Sequence, residues 1–141
     1  MKKIFISSDH AGFTLKESIK IFLNKKGYKY SDLGPTNDNR VDYPDFAHKV
    51  AKKVKTNKNN VGILVCGSGM GMNITANRHK NIRAAQCFNL KSTKLSRLHN
   101  DANIITLGSR LLKKKIAMQL INIFLITKFE GGRHKKRINK I

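Results

Sequence analysis

Short runs of branched apolar residues alternate along the chain with stretches whose apolar positions recur every three or four residues. Residues 3–7, KIFIS, form the first run. In GFTLKESIKIFLNKKG, which follows, Phe13, Leu15, Ile19, Phe22 and Leu23 share one helical face, and Gly27 supplies the stop. YKYSDLG predicts a short strand closed by Gly34 and Pro35, and YPDFAHKVAKKVK a helix with Pro44 in its first turn, where a missing N–H costs no hydrogen bond. VGILV has the continuous apolar character of a strand buried on both faces. GMNITANRH predicts a short helix, IRAAQC a strand, LKSTKLSRLH a helix, ANIITLG a strand and LLKKKIAMQLINIFLIT a helix. GRHKKRINKI adds a short terminal helix after a glycine pair. Strand and helix thus alternate about five times. That pattern predicts an α/β fold: a five-stranded parallel sheet covered by helices on both faces, with a C-terminal helical arm. No repeat, linker or low-complexity block divides it, so residues 1–141 are expected to form one domain.

Composition changes this picture little. In 141 residues, 40% are hydrophobic and 26% charged, the balance of a soluble globular chain. The net charge of +21 raises the question of a polyanionic partner. The lysines are scattered rather than clustered, and Asn and Ile are abundant too, which fits a general drift in composition; a nucleic-acid partner is not expected. The longest apolar stretch, IAMQLINIFLITKF, is too short to span a bilayer and is interrupted by Gln119 and Asn122, so no membrane segment is expected. The N-terminal apolar run is too short for a secretion signal. Cys66 and Cys87 suggest neither a disulfide framework nor a zinc site, and point to a reducing, cytoplasmic setting.

In open parallel sheets ligands sit outside the carboxyl ends of the strands. There the first strand offers Asp9 and His10, the third Cys66 and Ser68, and the fifth Arg110. Tyr43 opens the helix after the second strand, and His99 and Asn100 stand just ahead of the fifth. The fold is expected to bring an acid, two histidines, a thiol and a loop of backbone amides to one rim. Cys66 leads into Gly67, Ser68, Gly69, Met70 and Gly71. This loop lacks the lysine of a phosphate-binding P-loop and the spacing of a dinucleotide fingerprint. It remains a nest of inward N–H groups suited to an anion. Arg133 and Arg137, four apart, would share a helix face as a fork for phosphate.

SSDHAGFTLK, DYPDFAHKVA, GILVCGSGMGMNITANR, RAAQC, LSRLHNDANIITLGSR and FEGGRHKKR together resemble the type B ribose-5-phosphate isomerases. These belong to the sugar-phosphate isomerases that include galactose-6-phosphate and allose-6-phosphate isomerases, and the likeness runs almost end to end. The resemblance implies a Rossmann-like α/β/α sandwich. It implies a homodimer, in some members paired into tetramers, with the active site shared between subunits. It implies aldose–ketose isomerisation of ribose 5-phosphate and ribulose 5-phosphate, a sugar-phosphate substrate, and no metal or other cofactor.

By the same resemblance, Cys66 corresponds to the base that moves a proton between C2 and C1. His99 corresponds to the residue that opens the furanose ring, with Asp9 as its helper. His10, Arg110, Arg133 and Arg137 match phosphate positions, and Asn100 and Tyr43 sugar contacts; the Gly67–Gly71 segment, with Ser68, would hold the enediolate. Some members replace the cysteine by a glutamate shortly after the glycine loop. Met72 offers no carboxylate, so this chain sides with the thiol branch. Ser68 stands where threonine is frequent and keeps the hydroxyl. The alternatives are a hexose-6-phosphate isomerase of the same family, such as an allose-6-phosphate isomerase, and, from another class, a basic nucleic-acid-binding protein.

Overall fold

The computed structural model describes residues 2–141. The chain order is β1 (Lys3–Ser8), α1 (Phe13–Lys25), β2 (Tyr30–Asp32), α2 (Tyr43–Val54), β3 (Asn60–Cys66), α3 (Met70–Ala76), β4 (Ala84–Gln86), α4 (Leu90–Asn100), β5 (Ile104–Gly108), α5 (Lys114–Ile126) and α6 (Arg133–Ile138). The strands lie in the order β2-β1-β3-β5-β4, and every pairing is parallel. This is the α/β/α sandwich expected from the alternating pattern.

Period-two alternation sorts the strand side chains between two cores. Ile4, Ile6, Val61, Ile63, Val65, Ile105 and Leu107 face α1 and α5, where Leu15, Ile19, Leu23, Leu120, Ile121 and Phe124 meet them. Phe5, Leu64, Cys66 and Ile104 face α2 and α3, against Ala47, Val50, Ala51, Val54, Met72 and Ala76. All seven residues of β3 are buried, as its unbroken apolar run requires of the central strand. Each fully buried Ile or Leu contributes roughly 1.5–3 kcal/mol, so these two layers, not the lysine-rich surface, stabilise the fold. The arm α6 packs on α4 through His134, its buried residue.

The elements depart from their expected bounds where tertiary pairing ends. β2 and β4 are edge strands with one neighbour each, and only three residues of each pair. Ile82 turns into the α2/α3 core instead of joining β4, while the Arg83 guanidinium donates to the carbonyls of Asn100 and Asp101. α5 begins at Lys114 rather than Leu111, because the N–H groups of Leu111 and Leu112 both donate to the Gly108 carbonyl in a tight turn. No helix among the described residues is long and apolar enough to cross a membrane.

The strand order positions the site. After β1 the chain moves outward to β2 and then returns on the opposite side of β1 as β3. The loops leaving β1 and β3 therefore diverge and open a crevice at their carboxyl ends.

Candidate active site

Cys66 is the last residue of β3, 4% exposed and backed by the apolar α2/α3 layer. Its sulfur accepts a hydrogen bond of 3.1 Å from the backbone N–H of Gly69. Gly69 reaches this position at φ +79°, where a Cβ would stand 3.0 Å from the Leu107 carbonyl carbon and 3.1 Å from the Gly108 nitrogen. Both the angle and the space call for glycine. The Ser68 hydroxyl accepts the Met70 N–H at 3.2 Å, and the Ser68 carbonyl accepts from the Gln86 side-chain amide at 2.6 Å. The loop is thus tied to the ends of β4 and β5, and the thiol sits on a rigid strand end beside aligned amides.

Five other residues named from the sequence reach the same rim. Asp9, buried at the end of β1, accepts the Gly12 N–H on Oδ1 at 2.9 Å, while its own N–H donates to the Val65 carbonyl. That bond sets Asp9 level with Cys66, on the same side of the sheet. The His10 ring meets the backbone of Val41 in the loop before α2, with Nδ1 3.3 Å from the Val41 nitrogen. The Tyr43 ring lies over Gly71, so close that a Cβ there would be 2.5 Å from the phenol carbon. The Arg110 guanidinium covers Gly67, with Nη1 3.0 Å from the position of a Cβ, and the Arg110 N–H donates to the Gly67 carbonyl at 3.0 Å. Met70 is half exposed beside them. Carboxylate, imidazole, phenol, guanidinium, thiol and amides therefore gather at the carboxyl rim of the sheet.

His99, Asn100, Arg133 and Arg137 are elsewhere, which corrects the expectation that both histidines share one rim. A helix between parallel strands runs back against them, so the last turn of α4 arrives at the amino edge of the sheet. The Asn100 carbonyl accepts a bond from Arg83, which precedes β4. The length of β5 separates this edge from Cys66, about 15–20 Å at strand rise. There α6 packs on α4: the His99 and His134 rings stack with centroids 4.2 Å apart, and Glu130 Oε2 lies within 4 Å of both Nε2 atoms. Arg133 and Arg137 sit one turn apart and exposed on α6. Glu130, His134 and Gln86 are contacts that the sequence reading missed; the Glu130/His134 spacing of four was the available signal.

Cys87 takes no part in this chemistry. It lies in the α1/α5 core, on the opposite side of the sheet from Cys66, and burial pushes its thiol up. Both cysteines are free.

The family model described as Ribose/Galactose Isomerase matches residues 4–141. The chain is 40% identical over 141 residues to ribose-5-phosphate isomerase B of Escherichia coli, a match covering all of this chain and 95% of that protein. Among solved structures, ribose-5-phosphate isomerase B of Clostridium thermocellum superposes with a TM-score of 0.95 at 46% identity, over 98% of this chain and 93% of that one. The Mycoplasma genitalium enzyme of that name, solved with bound ribulose 5-phosphate, gives a TM-score of 0.94 at 44% identity, over 98% and 92% of the two chains.

Proposed function

The chain belongs to the ribose/galactose isomerase family, and from that premise we propose that it interconverts ribose 5-phosphate and ribulose 5-phosphate with Cys66 as the base. The observation that carries the assignment of the base is the thiol at the end of β3 with a backbone donor aimed at it. Isomerisation removes a proton from the carbon beside a carbonyl and returns it to the neighbouring carbon. A thiolate at the rim takes the C2 proton of the open-chain aldose and delivers it to C1. The negative charge passes to oxygen in the enediolate, where the amides of the Gly67–Gly71 loop and the Ser68 hydroxyl stabilise it; one such donor is typically worth about 3 kcal/mol. General-base transfer of this kind contributes roughly 10² to 10⁴ in rate.

Ribose 5-phosphate is mainly cyclic, and C2 is acidic only after the ring opens. His99 fills that role, as an imidazole whose ring nitrogen can take and return a proton. Within one chain His99 cannot reach a sugar held at Cys66. This separation supports a site built from two copies, Asp9, His10, Tyr43, Cys66 and the glycine loop from one and His99, Asn100, Arg133 and Arg137 from the other. The working unit is then a homodimer. The two arginines and His10 grip the phosphate, which is remote from the reacting carbons and serves to orient them. Arg110, lying on Gly67, joins the phosphate group from the rim. Two free thiols and the absence of a membrane-crossing helix among the described residues suit a cytoplasmic enzyme.

The test is conversion of ribose 5-phosphate by the purified protein in the presence of EDTA, with allose 6-phosphate alongside. Fast turnover of the pentose is expected. Turnover of the hexose alone would keep the chemistry and change the substrate. Inactivity of the folded protein toward both sugars would overturn the assignment.

A further inference from the structure

His134 is 5% exposed, and its Nε2 is buried without a hydrogen-bond partner. Its ring lies face to face with that of His99, centroids 4.2 Å apart and planes 14° from parallel. Glu130 Oε2 stands 3.9 Å from His99 Nε2 and 3.8 Å from His134 Nε2. The Glu130 N–H donates to the Leu98 carbonyl at 3.1 Å, which holds the Glu130 backbone against the last turn of α4. One carboxylate oxygen is therefore offered equally to two stacked imidazoles.

Two histidines and a glutamate, with ligand atoms within 4.8 Å of one another, also have the composition of a zinc site. The stacking opposes it. A ring nitrogen binds an ion in the plane of its ring, and an ion between two parallel rings would lie out of both planes. A carboxylate has no such demand. A shift of about 1 Å brings it to hydrogen-bonding distance of either nitrogen.

We propose that Glu130 and His134 are positioning residues for His99: the stacked ring fixes the plane of the His99 imidazole, and the shared carboxylate moves to His99 while that ring is an imidazolium. The proposal rests on the ring-opening role of His99. In that step the neutral imidazole takes the proton of the anomeric hydroxyl. The freed O–H electron pair becomes the second bond of the new carbonyl, and the bond from C1 to the ring oxygen breaks. The ring oxygen then receives the proton back from the imidazolium, so no proton is gained or lost overall. The imidazolium exists only between the two transfers, and a carboxylate that approaches then lowers the barrier without binding the resting ring.

The surroundings keep the roles of the two histidines distinct. Burial holds His134 below the usual histidine value, and the neighbouring His99 adds to this; Glu130 opposes, and Arg133 and Arg137 lower it further. The same surroundings disfavour the charged form of His134. Other charges at this end of α4 pair with one another, Asp101 with Arg97 at 2.8 Å and with Arg83 at 3.2 Å.

The experiment compares Glu130→Gln, Glu130→Asp, His134→Phe and His99→Asn. Initial rates are measured at saturation from each sugar, with enough enzyme that spontaneous ring opening is slow beside turnover. Ribulose 5-phosphate cannot close to a furanose and needs no ring opening. Glu130→Gln and His134→Phe are expected to slow the aldose about tenfold and the ketose no more than twofold. Glu130→Asp recovers part of the rate. Equal losses on both sugars, or none, while His99→Asn keeps its aldose-selective loss, would overturn the positioning role and leave that of His99 standing. A His99→Asn enzyme without that selectivity would overturn both. Glu130 is exposed, so its variants carry the test even if His134→Phe fails to fold.

Discussion

The backbone N–H of Gly69 donates to the sulfur of Cys66 across 3.1 Å, from a residue in left-handed conformation. An alanine at 69 would add the strain of that conformation, about 1–2 kcal/mol, and press its Cβ on backbone that cannot yield. Gly69→Ala is therefore expected to lose about 2 kcal/mol or more in urea denaturation. It is also expected to lose about a hundredfold in turnover, as the donor leaves the sulfur. Unchanged turnover in the alanine variant would separate the loop geometry from catalysis.

Cys66 itself has a smaller structural role. It is one side chain among Leu64, Met72 and Val50 in the α2/α3 layer. Cys66→Ala should cost about 1 kcal/mol of stability, the scale of a small core truncation. Turnover of either sugar should fall roughly 10²–10⁴-fold with the circular dichroism unchanged. A variant within tenfold of the parent would exclude the thiol as the base.

Lys16 is fully buried, and its ammonium bonds both oxygens of Asp32 at 2.9 Å and the Pro35 carbonyl at 2.7 Å. Burial raises the Asp32 carboxyl, but hydrogen bonds from Lys20, Lys16 and the Gly34 N–H outweigh it and hold it below the usual carboxylate range. A depressed carboxyl gives stability that is complete above its unfolded value, about 4, and is lost as the pH falls through the folded value. Asp32→Asn is expected to be about 2 kcal/mol less stable at pH 7, since it leaves the buried ammonium with only Glu17, at 3.3 Å, for a carboxylate partner. Below pH about 4 the parent should converge on the variant in urea midpoints. Parallel pH profiles would show that the pair is not coupled to folding.

The sequence carried the layers of this fold clearly and its ends poorly. VGILV had the character of a strand buried on both faces, which the central β3 is, and the glycine loop behind Cys66 announced a close backbone approach to something. The misplaced residue was His99. Its neighbourhood to β5 in sequence suggested the rim, yet α4 must run back along the sheet before β5 begins. Nearness to a strand in the chain says nothing unless the end of the strand is specified. Glu130 and His134 were hidden for another reason: EGGRHKKR has the composition of a solvated tail, and only the packing of α6 on α4 buries one of its members.

Arg133 and Arg137 stand one helical turn apart and exposed, and among the described residues neither pairs with a carboxylate. A pair so arranged suits a phosphate group. Arg133→Ala or Arg137→Ala should raise KM at least tenfold for aldose and ketose alike, the loss of one charge-assisted contact, with a smaller change in kcat. Selective damage to one sugar would place the arginine at the reacting end instead.

The two halves of the proposed site lie at opposite edges of one sheet, and this makes the subunit sharing directly measurable. Cys66→Ala and His99→Asn each disable every site in their own homodimer. In a mixed dimer one site takes Cys66 from the His99→Asn chain and His99 from the Cys66→Ala chain, and is intact; the other carries both defects. Random mixing makes half the dimers mixed, so co-refolding the two variants should restore about a quarter of the parental rate from ribose 5-phosphate. A site contained within one chain has no intact combination, because every copy retains its own lesion. Mixtures no more active than their components would therefore return His99 to its own chain's crevice, at odds with the path of α4, or remove it from the reaction.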